Sequence, residues 1–276
     1  MRVQYPAASR GFTLVEVLVA MTLTGMVVAG TLQALSAQKK FYARQSRILD
    51  ARHAMRASAT ILSSELREAS ATGGDLYAIG SDSVALRSTV GFGTACTVTV
   101  VSATQSVISL SHVSGHVRLD AADSALVFVE NTASGADDAW QAFRVSAVSF
   151  TGPACANGGA PERVVTVAGD LSGVWVGAPV RLFRPYVFGL FEMDQRWWLG
   201  RRNREGGSEY VPVAGPLAPP SYDGLKLTYL GPDGTETSNR TQVFRVDISL
   251  RAPTYRSLSD PDYRHLGTST YLRNDG

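Results

Sequence analysis

Histidines and acidic residues are the side chains of this chain that could bind a metal ion. His112 and His116 stand four residues apart, and on a helix this spacing would place both on one face as metal ligands. They lie in a strand-like stretch, where the same spacing separates two residues by about 13 Å. Asp260 and Asp262 could contact calcium, but acids beside a proline are typical of an exposed turn. We therefore expect no metal site.

Serine and glycine patterns supply no complete catalytic motif. The segment from Gly169 to Gly173 has the glycines of a nucleophile elbow, but it places Ser172 one residue late. The sequence contains neither a P-loop nor a dinucleotide-binding glycine pattern. We therefore expect no enzyme activity and no cofactor.

A basic run lies beside two tryptophans in the C-terminal half. The run consists of Arg196, Arg201, Arg202 and Arg204, and its neighbours are Trp197 and Trp198. Arginines combined with aromatic rings can bind nucleic acid through phosphate contacts and base stacking. The net charge of the chain is only +2, so its overall field does not favour nucleic acid. A head that binds DNA or an adhesion target is therefore an alternative function, and packing on a sheet face is the competing interpretation of the tryptophans.

The longest apolar stretch runs from Phe12 to Ala37, and its only charged residue is Glu16. At about 1.5 Å per residue, a helix of this length spans roughly 39 Å, whereas the hydrocarbon core of a bilayer is about 30 Å thick. Residues 12–37 are therefore predicted to form a transmembrane helix. A carboxylate within the hydrocarbon costs about 2.5–3.5 kcal/mol, so Glu16 needs a partner that a plain signal anchor does not supply.

Beyond Ala37 the helical period continues without a breaker. Apolar residues recur along one face at steps of seven, four and three, namely Phe41, Ile48, Met55, Leu62, Leu66 and Ala69. Gly73 and Gly74 follow as a stop signal. We expect one helix from about residue 13 to 72, of which residues 38–73 form an amphipathic part that packs on a sheet.

Residues 74–276 contain short β-like runs separated by turn residues. Two hairpins are predicted, one from residues 180–192 and 196–202 and the other from residues 226–230 and 242–252. The composition, with 18% charged and 45% hydrophobic residues, is that of a globular domain. We expect an α+β fold with an antiparallel β-rich head. A division into two sheets is expected near residues 152–161, and a surface loop at residues 212–221.

The residues Gly11-Phe12-Thr13-Leu14-Val15-Glu16 resemble the processing signature of type IV prepilins and of the pseudopilins of type II secretion. A short basic leader, a Gly-Phe junction, an acid and an apolar run follow one another in the order found in that family. The resemblance implies that prepilin peptidase cleaves between Gly11 and Phe12, that Phe12 is N-methylated, and that Glu16 serves assembly. Many members have a proline within the apolar run, where this chain has Gln33.

The resemblance also implies a location and partners. Residues 1–11 form a cytoplasmic leader and the head is periplasmic, so the precursor is a single-pass inner-membrane protein. It then enters a cell-surface pilus or a periplasmic pseudopilus. The implied partners are other pilins or pseudopilins, through the N-terminal helix, and the prepilin peptidase and methylase. A plain signal anchor is the alternative.

The only two cysteines are Cys96 and Cys155. By count alone they are compatible with one disulfide or with two buried thiols. Because the resemblance implies a periplasmic head, we predict a bridge between them.

The C-terminal part is similar in pattern and order to the larger minor pilins of the W type and to the J-type pseudopilin of type II secretion. The similar segments are Trp198–Arg201, Tyr210–Val213, Leu225–Tyr229 and Tyr271–Asn274. The implied function is that of a structural minor pilin at the initiation or tip of a type IV pilus, because the head is larger than a major pilin needs. The J-type pseudopilin is the alternative, and the sequence separates the two poorly.

Overall fold

A computed structural model of the chain describes residues 13–115, 124–130, 138–204, 209–254 and 262–273. The predicted α+β class is confirmed: one long helix packs on a head of antiparallel strands. The strands are β1 (Leu76–Ile79), β2 (Ser83–Ser102), β3 (Gln105–Gly115), β4 (Ser124–Val129), β5 (Ala139–Ser149), β6 (Arg163–Ala168), β7 (Pro179–Met193), β8 (Arg196–Asn203), β9 (Val211–Leu217), β10 (Leu225–Leu230), β11 (Arg245–Pro253) and β12 (Tyr263–Tyr271). Short 3-10 helices lie at Pro220–Tyr222 and Arg240–Gln242.

The helix, α1, runs from Leu14 to Glu68 without interruption. It begins where the sequence predicts but ends before residue 72. The reason is a set of contacts just after the helix: the Asp75 carboxylate accepts from the Ser70 amide at 2.9 Å, and the Asp75 amide donates to the Ser70 carbonyl. These bonds close a turn in which Gly74 takes a positive φ of 75°. The two glycines therefore reverse the chain after the helix instead of capping it.

Nine strands form the larger sheet, and six of them close into a ring. Hydrogen bonds join β2, β3, β6, β5, β4 and β7 in that order, and the pairing of β7 with β2 closes the circle. β1 lies on the first part of β2, while β8 and β9 extend the sheet from β7. Every strand of the ring contributes buried apolar residues to its interior, among them Ala95, Ile108, Ala125, Val148, Val165 and Leu182.

A second core lies where α1, the larger sheet and the smaller sheet meet. The smaller sheet has the strand order β10-β11-β12. Helical residues such as Met55, Leu62 and Leu66 are buried against residues of both sheets, including Leu86, Phe188, Leu199, Leu227, Val246, Ile248 and Leu250. The helix thus holds the two sheets together, and burying these side chains stabilises its attachment to the head.

The predicted hairpins are present, as β7–β8 and β10–β11. Two predictions about the head are wrong. Residues 152–161 connect β5 to β6 within the larger sheet, and the division into two sheets instead falls after β9. Residues 212–221 are not simply a loop, because residues 212–217 belong to β9. β9 is an edge strand, where Pro212 and Pro216 are tolerated because an edge leaves amide positions unpaired.

Candidate functional site

The N-terminal half of α1 exposes a predominantly apolar surface. Leu14 is 79% exposed and Met26 is 72% exposed, and the first buried residue of the helix is Ala51. This half is long and apolar enough to cross a membrane, and no part of it is buried against the described head. The predicted apolar stripe therefore has an exposed part and a buried part, because Phe41 is 60% exposed whereas Leu62 is fully buried. A surface of this kind requires lipid or other helices around it.

Polar side chains in the exposed half bond to their own helix. The Thr22 hydroxyl donates to the Val19 carbonyl at 2.9 Å, and the Thr31 hydroxyl donates to the Val27 carbonyl at 2.7 Å. The helix also continues through Gly25, which has no neighbouring atom within 4 Å of a Cβ position. Hydroxyls that are satisfied in this way enter hydrocarbon without leaving an unpaired donor.

Glu16 forms a reciprocal cap with Thr13 at the start of the helix. The Glu16 carboxylate accepts from the Thr13 amide at 2.9 Å and from its hydroxyl at 3.0 Å, and the Glu16 amide donates back to the Thr13 hydroxyl at 3.3 Å. A capping box of this type pairs two otherwise orphaned helix donors. The Glu16 carboxylate therefore has hydrogen-bond partners within its own chain. The cost of placing a carboxylate in the membrane did not by itself indicate these partners. Gly11 and Phe12, the predicted cleavage and methylation residues, lie outside the described residues.

Small residues bring the second half of α1 close to the head. Ala51, Ala54, Ser58 and Ala59 are buried along this face. The Ser58 hydroxyl is satisfied by the Ala54 carbonyl at 2.9 Å. At the end of the helix the Arg273 amide donates to the Ala69 carbonyl, which fastens the C-terminal segment to the helix.

Two acidic residues lie near the junction of helix and head, where Asp75 is buried and Glu65 is half-buried. Burial raises the pKa of Glu65, and the hydroxyl of Ser88 on β2 opposes this rise by donating to its carboxylate at 2.6 Å. Burial also raises the pKa of Asp75, against the lowering effects of the Ser70 amide and of Arg87 at 3.2 Å. The Glu65–Ser88 bond joins α1 to β2, and the Asp75–Arg87 ion pair joins the turn after α1 to β2, so both groups fasten the end of the helix to the head.

Cys96 and Cys155 form a disulfide in the structure. Cys96 lies on β2, and Cys155 lies in the connection from β5 to β6. Further bonds fix the same connection: the Thr97 hydroxyl donates to the Ala154 carbonyl at 2.8 Å, and the Ser109 hydroxyl donates to the Pro153 carbonyl at 2.7 Å. The bridge therefore ties the connection between β5 and β6 to β2.

The arginines of the basic run do not cluster around the two tryptophans. Three of its arginines lie over tyrosine rings instead: Arg201 over Tyr186 at 4.8 Å, Arg202 over Tyr210 at 5.2 Å and Arg204 over Tyr77 at 4.7 Å. Arg196 is exposed, and both tryptophans are half-buried. Sequence reasoning missed the tyrosines because they come from three separate segments of the chain.

The residues considered for metal binding do not come together. His112 and Asp262 are exposed on different strand ends, and His116 and Asp260 lie outside the described residues. Among the residues that the structure describes, no group of three or more potential ligands is found. Ser172 lies in a turn, where its amide donates to the Asp170 carboxylate at 2.8 Å.

A family model described as the prokaryotic N-terminal methylation motif matches residues 6–32. The match covers the Gly11-Phe12 junction, Glu16 and most of the exposed apolar half of α1. No curated protein and no solved structure matches the chain significantly. The family match therefore concerns the N-terminal segment.

Proposed function

We propose, from the premise that this is a type IV pilin-like protein as its N-terminal motif supports, that it is a structural minor pilin incorporated at the initiation or tip of a type IV pilus. One observation carries the proposal. The N-terminal half of the helix is apolar and exposed, and the other half packs into the head. Such a helix can move from the membrane into a filament without any change in the structure of the head. Helices would bundle inside such a filament and heads would decorate its surface.

Processing would convert the precursor into the assembling form. In this proposal the leader is residues 1–11, prepilin peptidase cleaves between Gly11 and Phe12, and Phe12 is methylated. The leader lies in the cytoplasm and the head in the periplasm, so the inner membrane holds the subunit before assembly. The transmembrane part is residues 12–37, the amphipathic part extends to Glu68, and the head follows from residue 74.

Glu16 has a double role in the proposal. In the isolated subunit its carboxylate caps the helix through Thr13. Cleavage creates a positively charged amine on Phe12, and in a staggered bundle this amine would lie beside the Glu16 carboxylate of a neighbouring subunit. Each buried charge would then have a partner, and the pairing would favour one axial register. The partners of the chain are therefore other pilins or pseudopilins.

Variants of the capping pair test this role. Glu16→Gln keeps an oxygen that can accept from Thr13 but removes the charge that the amine needs. Thr13→Val removes the hydroxyl of the cap and keeps the charge, so it serves as the matched control. The ratio of subunit in sheared filaments to subunit in membranes, at equal expression, should fall strongly for Glu16→Gln and little for Thr13→Val. An unchanged ratio for Glu16→Gln would contradict the assembly role and favour a plain membrane anchor.

A J-type pseudopilin of type II secretion remains the alternative within the same family. The size of the head, with its ring and separate three-stranded sheet, supports a specialised subunit in either system. Deletion of the gene distinguishes them. Loss of surface pili with secretion intact favours the minor pilin, and loss of secretion with pili intact favours the pseudopilin.

A second candidate function is a DNA-uptake or adhesion module carried on the helix. The observation that favours it is the set of arginines over tyrosine rings on β8 and its neighbours. The double variant Arg202→Gln/Arg204→Gln should then abolish a salt-dependent shift of DNA by the soluble head. Arg245→Gln/Arg251→Gln is the control, because these arginines already pair with Asp247 and Asp223. No shift by the unaltered head would exclude DNA.

A further inference from the structure

The strand β12 forms one edge of the smaller sheet, and no described strand pairs with its outer side. The opposite edge, β10, is already engaged. Its Leu227 amide donates to the Ser81 carbonyl, and its Tyr229 carbonyl accepts from the Thr237 amide. In the larger sheet, the edge strand β9 contains two prolines, which lack the amide that a further strand would bond. β12 is nine residues long and contains no proline.

Hydrogen bonds at both ends of β12 show which of its backbone groups point outward. At one end the Thr254 amide donates to the Asp262 carbonyl at 2.7 Å, and at the other the Leu272 amide donates to the Phe244 carbonyl at 3.0 Å. The register between these pairs is unbroken. In an antiparallel pair, bonded residues alternate with residues whose groups point away from the partner strand. The even-numbered residues of β12 therefore bond to β11, and the outward amides and carbonyls belong to His265, Gly267, Ser269 and Tyr271.

These four outward residues form a template for a further strand. No backbone hydrogen bond to another described element reaches them, and all four are exposed. Unpaired groups along a strand edge readily pair with an extended segment of another chain. The even-numbered side chains face α1 instead, as the Thr270 hydroxyl shows by donating to the Ser63 carbonyl at 3.5 Å.

The helix α1 runs alongside β12 in the same direction. Ser63 lies beside Thr270, and the helix cap six residues later accepts a bond from the Arg273 amide. Arg56 and Arg52 precede Ser63 by seven and eleven residues, so the helical period places both on the same side of α1. They lie about 10 and 17 Å before Ser63, which brings them level with the middle of β12. Both are exposed, and neither forms an ion pair with a described residue.

We propose that the outer edge of β12 accepts an extended, acidic segment of a partner protein, which adds a strand to the smaller sheet. The backbone of the segment pairs with the outward amides and carbonyls of β12. Acidic side chains on the inner face of the segment reach Arg52 and Arg56 of α1. The partner is thereby held to the head and to the helix at once.

A second copy of the same edge does not fit this site. The proposed membrane anchoring makes the α1 helices of two neighbouring subunits parallel. Because β12 runs parallel to α1, two copies of β12 at the same height would also be parallel. Each Arg264 would then lie beside the Arg264 of the other copy, and like charges side by side on neighbouring strands are destabilising. The choice of partner rests on the proposed anchoring, whereas the unpaired edge does not.

Peptide binding tests the proposal on the full chain in phosphatidylcholine nanodiscs. The probe is a labelled peptide of nine residues, as long as β12, in which glutamate alternates with threonine. Fluorescence anisotropy measures its affinity. One control peptide has glutamine in place of glutamate, and the other has N-methyl groups on alternate amides, so that it keeps its charge but cannot pair as a strand. The unmodified acidic peptide should bind about fivefold more tightly than either control.

Hydrogen exchange at single amides locates the added strand. In the free chain the amides of His265, Gly267, Ser269 and Tyr271 should exchange fast, and those of the even-numbered residues between them should exchange slowly. At saturation, the acidic peptide should slow exchange of the four outward amides by about tenfold or more, because each of them gains a partner or is shielded from water.

Two pairs of variants separate the strand edge from the charges. Ser269→Pro removes one outward amide at a position where an edge strand tolerates proline, and it should lower the affinity for the peptide about fivefold. Ser269→Ala keeps the amide and should leave the affinity unchanged. Arg52→Gln/Arg56→Gln should lower the affinity about threefold or more. Lys39→Gln/Lys226→Gln removes the same charge away from this edge and should have little effect. Thermal unfolding checks that each variant is folded.

Four results would overturn the proposal. Slow exchange of the outward amides in the free chain would show that the edge is already covered. Equal binding of the N-methylated peptide would reduce the interaction to charge attraction, and equal binding of the glutamine peptide would refute an acidic partner. Protection that rises with protein concentration in the absence of peptide would identify a second copy as the occupant. None of these measurements requires a filament, so failure of the proposed filament role would appear separately, in the Glu16 experiment.

Discussion

Replacing Leu62 by alanine should weaken the attachment of the helix to the head strongly. The side chain is fully buried in the core that α1 shares with both sheets. Truncation of a buried leucine removes its burial energy and leaves a cavity, at a cost of about 2–5 kcal/mol. In a domain of this size, about 3 kcal/mol corresponds to a lowering of the melting temperature by roughly 6–12 °C.

A soluble form that begins at residue 38 suits the measurement, because the residues before it make no buried contact with the described head. Leu49→Ala is the matched control, since the same side chain on the same helix is half-exposed. Its truncation should change the melting temperature by no more than about 2–3 °C. Equal effects of the two substitutions would refute the assignment of this core as the attachment of the helix.

Two further predictions concern the head, and one concerns its junction with the helix. Cys96→Ser/Cys155→Ser should lower the free energy of unfolding by up to about 4 kcal/mol, because the bridge spans a sequence separation of 59 residues, and denaturant titration measures this loss. Burial raises the pKa of Glu65. Ionisation of its carboxyl should therefore lower the free energy of unfolding as the pH rises above the ordinary pKa of a glutamate. Glu65→Gln should remove this loss of stability in unfolding titrations between pH 4 and 7. Gly224→Ala should destabilise the head by about 1–3 kcal/mol, because a Cβ there would collide with the Ala218 carbonyl oxygen; an unchanged melting temperature would contradict this.

The helix could be predicted well from the sequence because its signals are local. The apolar run and the period of seven, four and three both act within a few turns. Its end was predicted a few residues late, because Asp75 is held both by Ser70 and by Arg87, and the ion pair with Arg87 depends on where β2 lies. The exposure of Phe41 was missed for a related reason: a stripe shows that a face is apolar but not what covers it.

The head was predictable only where its contacts are short in sequence. The β7–β8 hairpin turns through Asp194 and Gln195, both with positive φ, and was recognised from its turn residues. The closure of the ring by β2 and β7 joins residues about 100 positions apart, and no local pattern encodes that partner. Pro212 and Pro216 indicated a loop, although an edge strand accommodates them equally well.

The arginine–tyrosine contacts show the same limit at the level of a candidate site. Arg204 and Tyr77 are far apart in sequence, and they come together through the pairing of β1 with β2, of β2 with β7 and of β7 with β8. The basic residues of that surface could therefore be recognised from the sequence, whereas the aromatic rings beneath them could not.

The most direct test of the central claim is mass spectrometry of the N-terminus of this protein, isolated from native membranes and sheared filaments, with and without the prepilin peptidase. The account predicts a chain that begins at N-methylated Phe12 when the peptidase is present, and a chain that retains residues 1–11 when it is absent. Unprocessed chains with an intact leader in functional filaments would contradict it.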